Sequence, residues 1–477
     1  FGYARRVLVR FAATGGHVAL AVRHRELMRA KGWLRTLAEK AKIRPAVATL
    51  PGAVDLWVLD RGLPADFLED LAARGVTRAV VSIGGGWEEP GDADGLVRKA
   101  AAAGFLPSRY DIYTDAWDSR DKPPKWLRTA GCPEDVIVDA DGSPHKGWLD
   151  KSEGGPFQGY YLCARTHRKT ATERIGAELK RTPYAARFID VVTASGLMEC
   201  YSTAHPATRR DDQEARADML KLVSDEFRLV TGSEEIREWA VPFSDFSEGT
   251  MTIKPADNAG YDWGKPVEPD PDYAALTAGA ATRVPLFELV FHDCHVSSWY
   301  TGDGMTKVPA LWDAKDLLNL LYGTMPLWMP DAALWKKYRD RFLASYHTVN
   351  AVSEAVGGAA MTSHGFLTPD RLVQRTEFSS GHVVTANFGE RDYVLTGADG
   401  KKRTLPRYGF LASGPGLDAW RLRVAGRTVT RVETAAKIYL DPGAKPWGEG
   451  SLRSDGPVVA FRTPAGARLV TLGAVTH

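Results

Sequence analysis

Residues 184–249 constrain the fold of this chain more than any other stretch. They hold two short apolar runs, 187–192 and 227–231, separated by a charged, helix-periodic segment, 211–227. Each run carries a carboxylate at or just beyond its C-terminal end. Asp190 belongs to the first, and the Glu234/Glu235 pair follows the second. Strand, helix, strand is the wiring of a parallel βαβ unit, because parallel neighbours need a long crossover between them. In a parallel barrel the C-terminal strand ends converge on one mouth. Two carboxylates delivered there from adjacent strands are what glycoside hydrolysis requires.

The same alternation extends in both directions. Candidate strands fall at 53–59, 78–83, 105–113, 187–192, 227–231, 238–243, 284–292 and 325–329, with helical patterns at 66–74, 92–103, 168–180, 211–227 and 314–321. Eight such units predict a (β/α)8, TIM-like barrel over 46–360. A doubly wound open sheet is the competing arrangement. Its dinucleotide-binding form is disfavoured, because the glycines at 84–86 lack the GxGxxG spacing. The Pro/Gly-rich excursion 116–160 is long enough to carry its own small structure or a function. A second polar loop spans 244–280, and a helical pattern covers 334–356. From about residue 365 short runs alternate with Ser-Gly, Gly-Glu and Asp-Gly turn signals, which predicts a C-terminal β-sandwich over 361–477. At the other end, alternation in VLVRF and VALAV predicts strands within residues 1–25. With a helix at 26–45, these make 1–45 the end of an N-terminal β-domain plus a linker helix.

Composition excludes several classes. A net charge of +2 without a basic block argues against nucleic acid as a partner. No apolar run approaches the roughly 20 residues of a membrane span. The first residue is Phe rather than Met, so the expectation is a processed chain, secreted or periplasmic. Cys132, Cys163, Cys200 and Cys294 form no CxxC pattern, which argues against structural zinc. No metal ligands are assigned and no cofactor is required, with structural calcium left open for the aspartates in 115–121 and 139–141. Nothing in the sequence sets the oligomeric state.

Asp190 lies inside an apolar strand, so its charge must be paired, hydrogen-bonded or at the mouth. The alternative is an ion pair with Arg187 or Arg109. Glu234 follows Gly232 and Ser233, which leave space above a strand end, and Glu235 is the reserve candidate for its role. Asp293, beside His292, is read as closing the seventh strand across the mouth. Arg109, Asp111 and Tyr113 share one face of the third strand. That face suits polyol binding or a loop anchor, and Asp115 follows it. Trp117, Trp239, Trp299 and Trp328 fall at or beyond strand ends, where flat rings stack on sugars.

The blocks RFIDVVTASGLMECYSTAHPATRRDD, VTGSEEIREWAVPFSDFSEG, RVPLFELVFHDCHVSSWYTGDG and LLNLLYGTMPLW resemble bacterial barrel glycosidases related to glycoside hydrolase families 101 and 129, the α-N-acetylgalactosaminidases. The resemblance covers roughly residues 30–400. It implies a barrel between β-sandwich domains and a retaining mechanism. It further implies Asp190 as nucleophile on the fourth strand, Glu234 as acid/base on the fifth, and an α-linked galactose-type glycan as substrate. GSEEIREW departs from the founding families around the second acid. Another α-glycosidase or transglycosylase of a bacterial polysaccharide, and a non-catalytic carbohydrate-binding barrel, are the alternatives.

Overall fold

The β/α alternation folds into eight parallel strands that wrap into one nearly closed barrel. They are β1 (Val54–Val58), β2 (Ala79–Ile83), β3 (Leu106–Ile112), β4 (Ala186–Asp190), β5 (Val230–Glu234), β6 (Phe246–Glu248), β7 (Val296–Ser298) and β8 (Leu327–Trp328). Their order around the wall is β7-β6-β5-β4-β3-β2-β1-β8. At the seam between β7 and β8, the Met325 N–H donates to the Ser297 carbonyl at 2.9 Å. The computed structural model describes residues 11–58, 62–83, 93–125, 127–249, 265–300, 303–397, 399–443, 445–449 and 452–473, with residues 7 and 9. The glycines at 84–86, most of 1–10 and residues 250–264 of the second polar loop lie outside the described residues.

Strand register fixes which side chains enter the barrel. Tyr110 pairs with Phe188, Ile112 with Asp190, Phe188 with Gly232, and Glu234 with Glu248. Paired residues of parallel strands point to the same face, so these residues line the lumen while their neighbours face the helices. Below the mouth, Trp57, Tyr110, Phe188 and Phe246 fill the barrel. Ring centroids lie 5.2 Å apart for Trp57–Phe188 and 6.3 Å for Phe188–Phe246. Gly232 is required there, because a Cβ would meet the Phe246 ring at 2.3 Å.

The helix after β4 starts where Thr208 caps Asp211 N–H while the Asp211 carboxylate accepts from Thr208 N–H, a reciprocal capping box. It covers Arg209–Lys221 and continues through Leu222–Glu226 before the chain enters β5. The 116–160 excursion carries its own three-stranded antiparallel sheet, Asp115–Trp117, Lys146–Asp150 and Phe157–Tyr161. After the barrel, a nine-stranded antiparallel sheet runs from Met361–Phe366 to Gly466–Thr471. It docks on the barrel, with Thr376 Oγ1 donating to the Leu321 carbonyl at 2.7 Å.

Three expected elements are corrected. The VALAV stretch belongs to a helix, Gly16–Ala30, rather than a strand. Its alternation is shallow, and its contacts are with the helix Leu286–Phe291. Residues 238–243 form a 3-10 turn, Glu238–Ala240, and the sixth strand lies further on in the polar-looking Phe246–Glu248. Residues 284–292 form the helix Leu286–Phe291, and the seventh strand is Val296–Ser298. Both missed strands have three residues, with serine or glutamate where the pattern expects apolar side chains. Among the described residues no helix is long and apolar enough to cross a membrane.

Candidate active site at the barrel mouth

Asp190 is the last residue of β4 and Glu234 the last residue of β5. Val191 and Glu235, the residues immediately after them, have φ of 65° and 49°. Left-handed backbone at a β-branched residue costs on the order of 1–3 kcal/mol. Here it turns the chain sharply off both strand ends and leaves the two acids as the last side chains of the wall. The loops behind them are tied together. Thr193 Oγ1 lies 2.7 Å from the Glu234 carbonyl oxygen, and Arg237 Nε donates to the Thr193 carbonyl at 3.0 Å.

The two carboxyls are near enough for the charge of Glu234 to act on Asp190. Burial, then the charge of Glu234, push the Asp190 carboxyl well above the usual carboxylate range, against the stabilising hydrogen bond from Tyr110. Like charges this close oppose ionisation, which makes the Asp190 carboxyl hard to ionise. Each acid has its own tyrosine. Tyr110 Oη donates to Asp190 Oδ2 at 2.6 Å, and Tyr300 Oη donates to Glu234 Oε1 at 2.8 Å. Burial, then the Asp190 charge, raise the Tyr110 phenol well above its normal range, so it stays a donor.

Three more acids surround the pair. Glu248 ends β6 in register with Glu234, and burial with the charges of Asp55, Asp190 and Glu234 raises its carboxyl well above normal. Burial pushes Asp55, on β1, up to about 8. Asp115, buried beside Arg128, is pushed up to about 6 by burial, and its charge reaches Asp190. Glu235 is buried next to Glu234 but its carboxylate turns toward Arg237, 3.6 Å away.

Of the residues singled out in the sequence, the fold brings together Asp190, Glu234, Glu235 and Asp115. The others sit elsewhere. Arg109, Asp111 and Tyr113 do share a face, but it is the outer face of β3. There Asp111 is held by Arg187, Arg174 (2.7 Å) and the Tyr113 hydroxyl, and Arg109 lies 3.7 Å from Glu178. Asp293 lies before β7, at the opposite end of the barrel from the mouth, in a two-pronged ion pair with Arg25 at 2.8 and 2.7 Å. His292, at the end of the helix misread as the seventh strand, bonds through Nδ1 to the Ala359 carbonyl at 2.7 Å. Trp117 packs with Leu127 and Phe157 inside the inserted sheet. Trp239 packs on the main core from the turn after β5. Trp299 donates to Asn319 Oδ1 at 2.9 Å, with Lys315 over its ring at 4.2 Å. Trp328 packs outward against Phe342, with centroids 4.8 Å apart.

Tyr110, Tyr300, Asp55 and Glu248 were missed. The signal for the two tyrosines was parity: each sits one residue from a residue chosen instead, beside Arg109 and Trp299. Glu248 was hidden by the misplaced sixth strand.

A family model described as glycosyl hydrolases related to the GH101 family, GH129, matches residues 71–377, well over half of the 477-residue chain. The chain belongs to glycoside hydrolase family 129. Its fold is similar to that of α-N-acetylgalactosaminidase NagBb from Bifidobacterium bifidum in complex with GalNAc. That likeness has 25% identity and a TM-score of 0.61, over 78% of this chain and 62% of that one. The same enzyme with Gal-NHAc-DNJ matches at 23% identity and a TM-score of 0.60, over 82% and 64%. This family 129 chain therefore spans a little under two-thirds of the length of the structures it matches. Among curated proteins nothing matches it.

Proposed function

We propose that this chain is a retaining α-glycosidase that removes α-linked galactose-type sugars, N-acetylgalactosamine first among them. The observation that carries the reading is the Asp190–Glu234 pair, two acids on adjacent strand ends, each accepting a hydrogen bond from its own tyrosine. In the productive form Asp190 is ionised and takes the Tyr110 hydrogen bond, while Glu234 keeps the proton. Asp190 attacks the anomeric carbon and Glu234 protonates the leaving oxygen. Glu234 then takes a proton from the water that releases the sugar. Retaining enzymes hold their two carboxyls about 5–5.5 Å apart, and inverting ones roughly 6.5–9.5 Å apart. Asp55, Glu248 and Asp115 are placed to accept hydrogen bonds from sugar hydroxyls. The chemistry calls for no cofactor, and a glycan-processing role fits an extracellular or periplasmic location. NagBb, bound to GalNAc, supports the choice of sugar.

A panel of p-nitrophenyl α- and β-glycosides tests this, with the anomer of the first product read by NMR. The expected outcome is release from an α-N-acetylgalactosaminide or α-galactoside with retained configuration, abolished by Asp190→Ala. Glu234→Ala should keep activity on the activated aryl glycoside and lose it on a natural glycan, because a good leaving group needs no proton. An inverted product would sink the nucleophile assignment. Glycan binding with no turnover on any substrate would favour a binding barrel instead.

A further inference from the structure

Away from the acids, Cys163, Cys200 and His205 converge although they are 37 and 5 residues apart in sequence. Their ligand atoms, two Sγ and a ring nitrogen, lie within 4.8 Å of one another, and all three residues are buried. Among the described residues this is the one group of three or more metal-type ligands with that geometry. We propose that Cys163, Cys200 and His205 bind a zinc ion that clamps the loop following Asp190 to the inserted sheet.

The ring of His205 is oriented as a ligand. Its Nε2 lies 3.0 Å from the Glu134 carbonyl oxygen, which can only accept, so Nε2 carries the proton. In the neutral ring Nδ1 is then a bare lone pair, and it is aimed at Cys200 Sγ, 3.4 Å away. A carbonyl behind the outer nitrogen is how proteins fix the tautomer and direction of a ligating histidine. The 3.4 Å also matches the about 3.5 Å sulfur–nitrogen edge that Zn–S of about 2.3 Å and Zn–N of about 2.0 Å give in a tetrahedron. Cys163 is the N-cap of the helix Ala164–Leu179, so it enters the cluster from the start of that helix. Two thiolates and an imidazole are a donor set that selects zinc over the harder divalent ions.

A cleft of about 230 Å³, lined by Glu134, Tyr160, Ser202 and His205 among others, opens beside the cluster. It gives the ion a way in and supplies water for the fourth position. On binding, the thiol protons leave to solvent as two Zn–S bonds and one Zn–N bond form, and no electrons move. The clamp joins separate segments. Cys200 already pairs its backbone with Ala207, and Tyr201 N–H donates to the Val138 carbonyl of the insertion at 2.8 Å.

The test is metal analysis of the full chain, stripped with a chelator under reducing conditions and reloaded with zinc chloride. Roughly one zinc per chain is expected, with proton release and, on cobalt substitution, the charge-transfer band of thiolate-bound tetrahedral cobalt. Cys200→Ser and His205→Gln should each retain under about a tenth of the metal, and Cys294→Ser all of it. Cobalt titration of the wild type needs no variant to fold. Wild type that takes up no zinc overturns the proposal. So does an unreduced peptide map that joins Cys163 to Cys200 as a disulfide.

Discussion

The two faces of β3 and β4 carry opposite electrostatics within one residue of each other. On the outer face Arg109, Arg174 and Arg187 meet Asp111 and Glu178. Burial opposes the Asp111 charge, yet Arg187 and Arg174 override it and hold the carboxyl at about 2. On the inner face Asp55, Asp115, Asp190, Glu234 and Glu248 crowd together, with Arg128 near Asp115 as the cation that counts. Both clusters are buried and hydrogen-bonded. Charge separates them: in the outer one the arginines hold Asp111 ionised and serve the wall, whereas in the inner one burial and neighbouring acids raise the Asp190 and Glu248 carboxyls, and burial raises Asp55. Frustration of that kind marks a working site, and a balanced network marks a structural one.

Substitutions on the two faces should therefore part stability from activity. Asp190→Asn should lower kcat/KM by on the order of 10⁴-fold or more, the scale of losing one member of a catalytic unit. Its melting temperature should not fall, because one of several mutually repelling acids is gone; a lower melting temperature would put Asp190 in the structural class. Arg187→Met should do the reverse. It strands the buried Asp111 and Glu178 carboxylates and should cost about 3–5 kcal/mol in denaturant unfolding, while the folded fraction keeps its kcat. A loss of kcat per folded molecule would show that the outer network also sets the site.

Neighbours at the end of β7 sharpen the contrast. Tyr300→Phe removes the donor to Glu234 and should lower kcat by roughly 10-fold, the worth of one hydrogen bond, without loss of stability. Trp299→Ala should cost about 3–5 kcal/mol of stability with little change in kcat. The smallest effect is a pH shift. Tyr110 stabilises the charged form of Asp190, so Tyr110→Phe raises that pKa further. The acidic limb of kcat/KM should then move to higher pH, and a limb that stays in place or moves down would remove Tyr110 from the dyad.

The barrel and the two leading acids were legible in the sequence because β4 is a largely apolar run that ends in Asp190, and the apolar run 227–231 leads into β5, which ends in Glu234. The residues around them were not, for two physical reasons. Parity on a strand is invisible until register is known, so the charged Arg109 and Asp111 drew attention that belonged to Tyr110. Lumen-lining strands at a polar mouth lose their apolar signature, so Phe246–Glu248 and Val296–Ser298 went unread, and Glu248 with them. Cys163 and Cys200 were set aside on spacing, which says little when the crossover helix and a loop bring distant residues together.

The acids also stand on the side of the barrel away from its seam. Among the described residues β7 and β8 share no ladder beyond the Met325–Ser297 bond, whereas β4 and β5 sit mid-sheet, each laddered on both sides. Local opening starts where a ladder is thinnest. Amide hydrogens near Met325 should therefore exchange long before those of β4 and β5, and the wall can breathe at its seam without spreading Asp190 from Glu234.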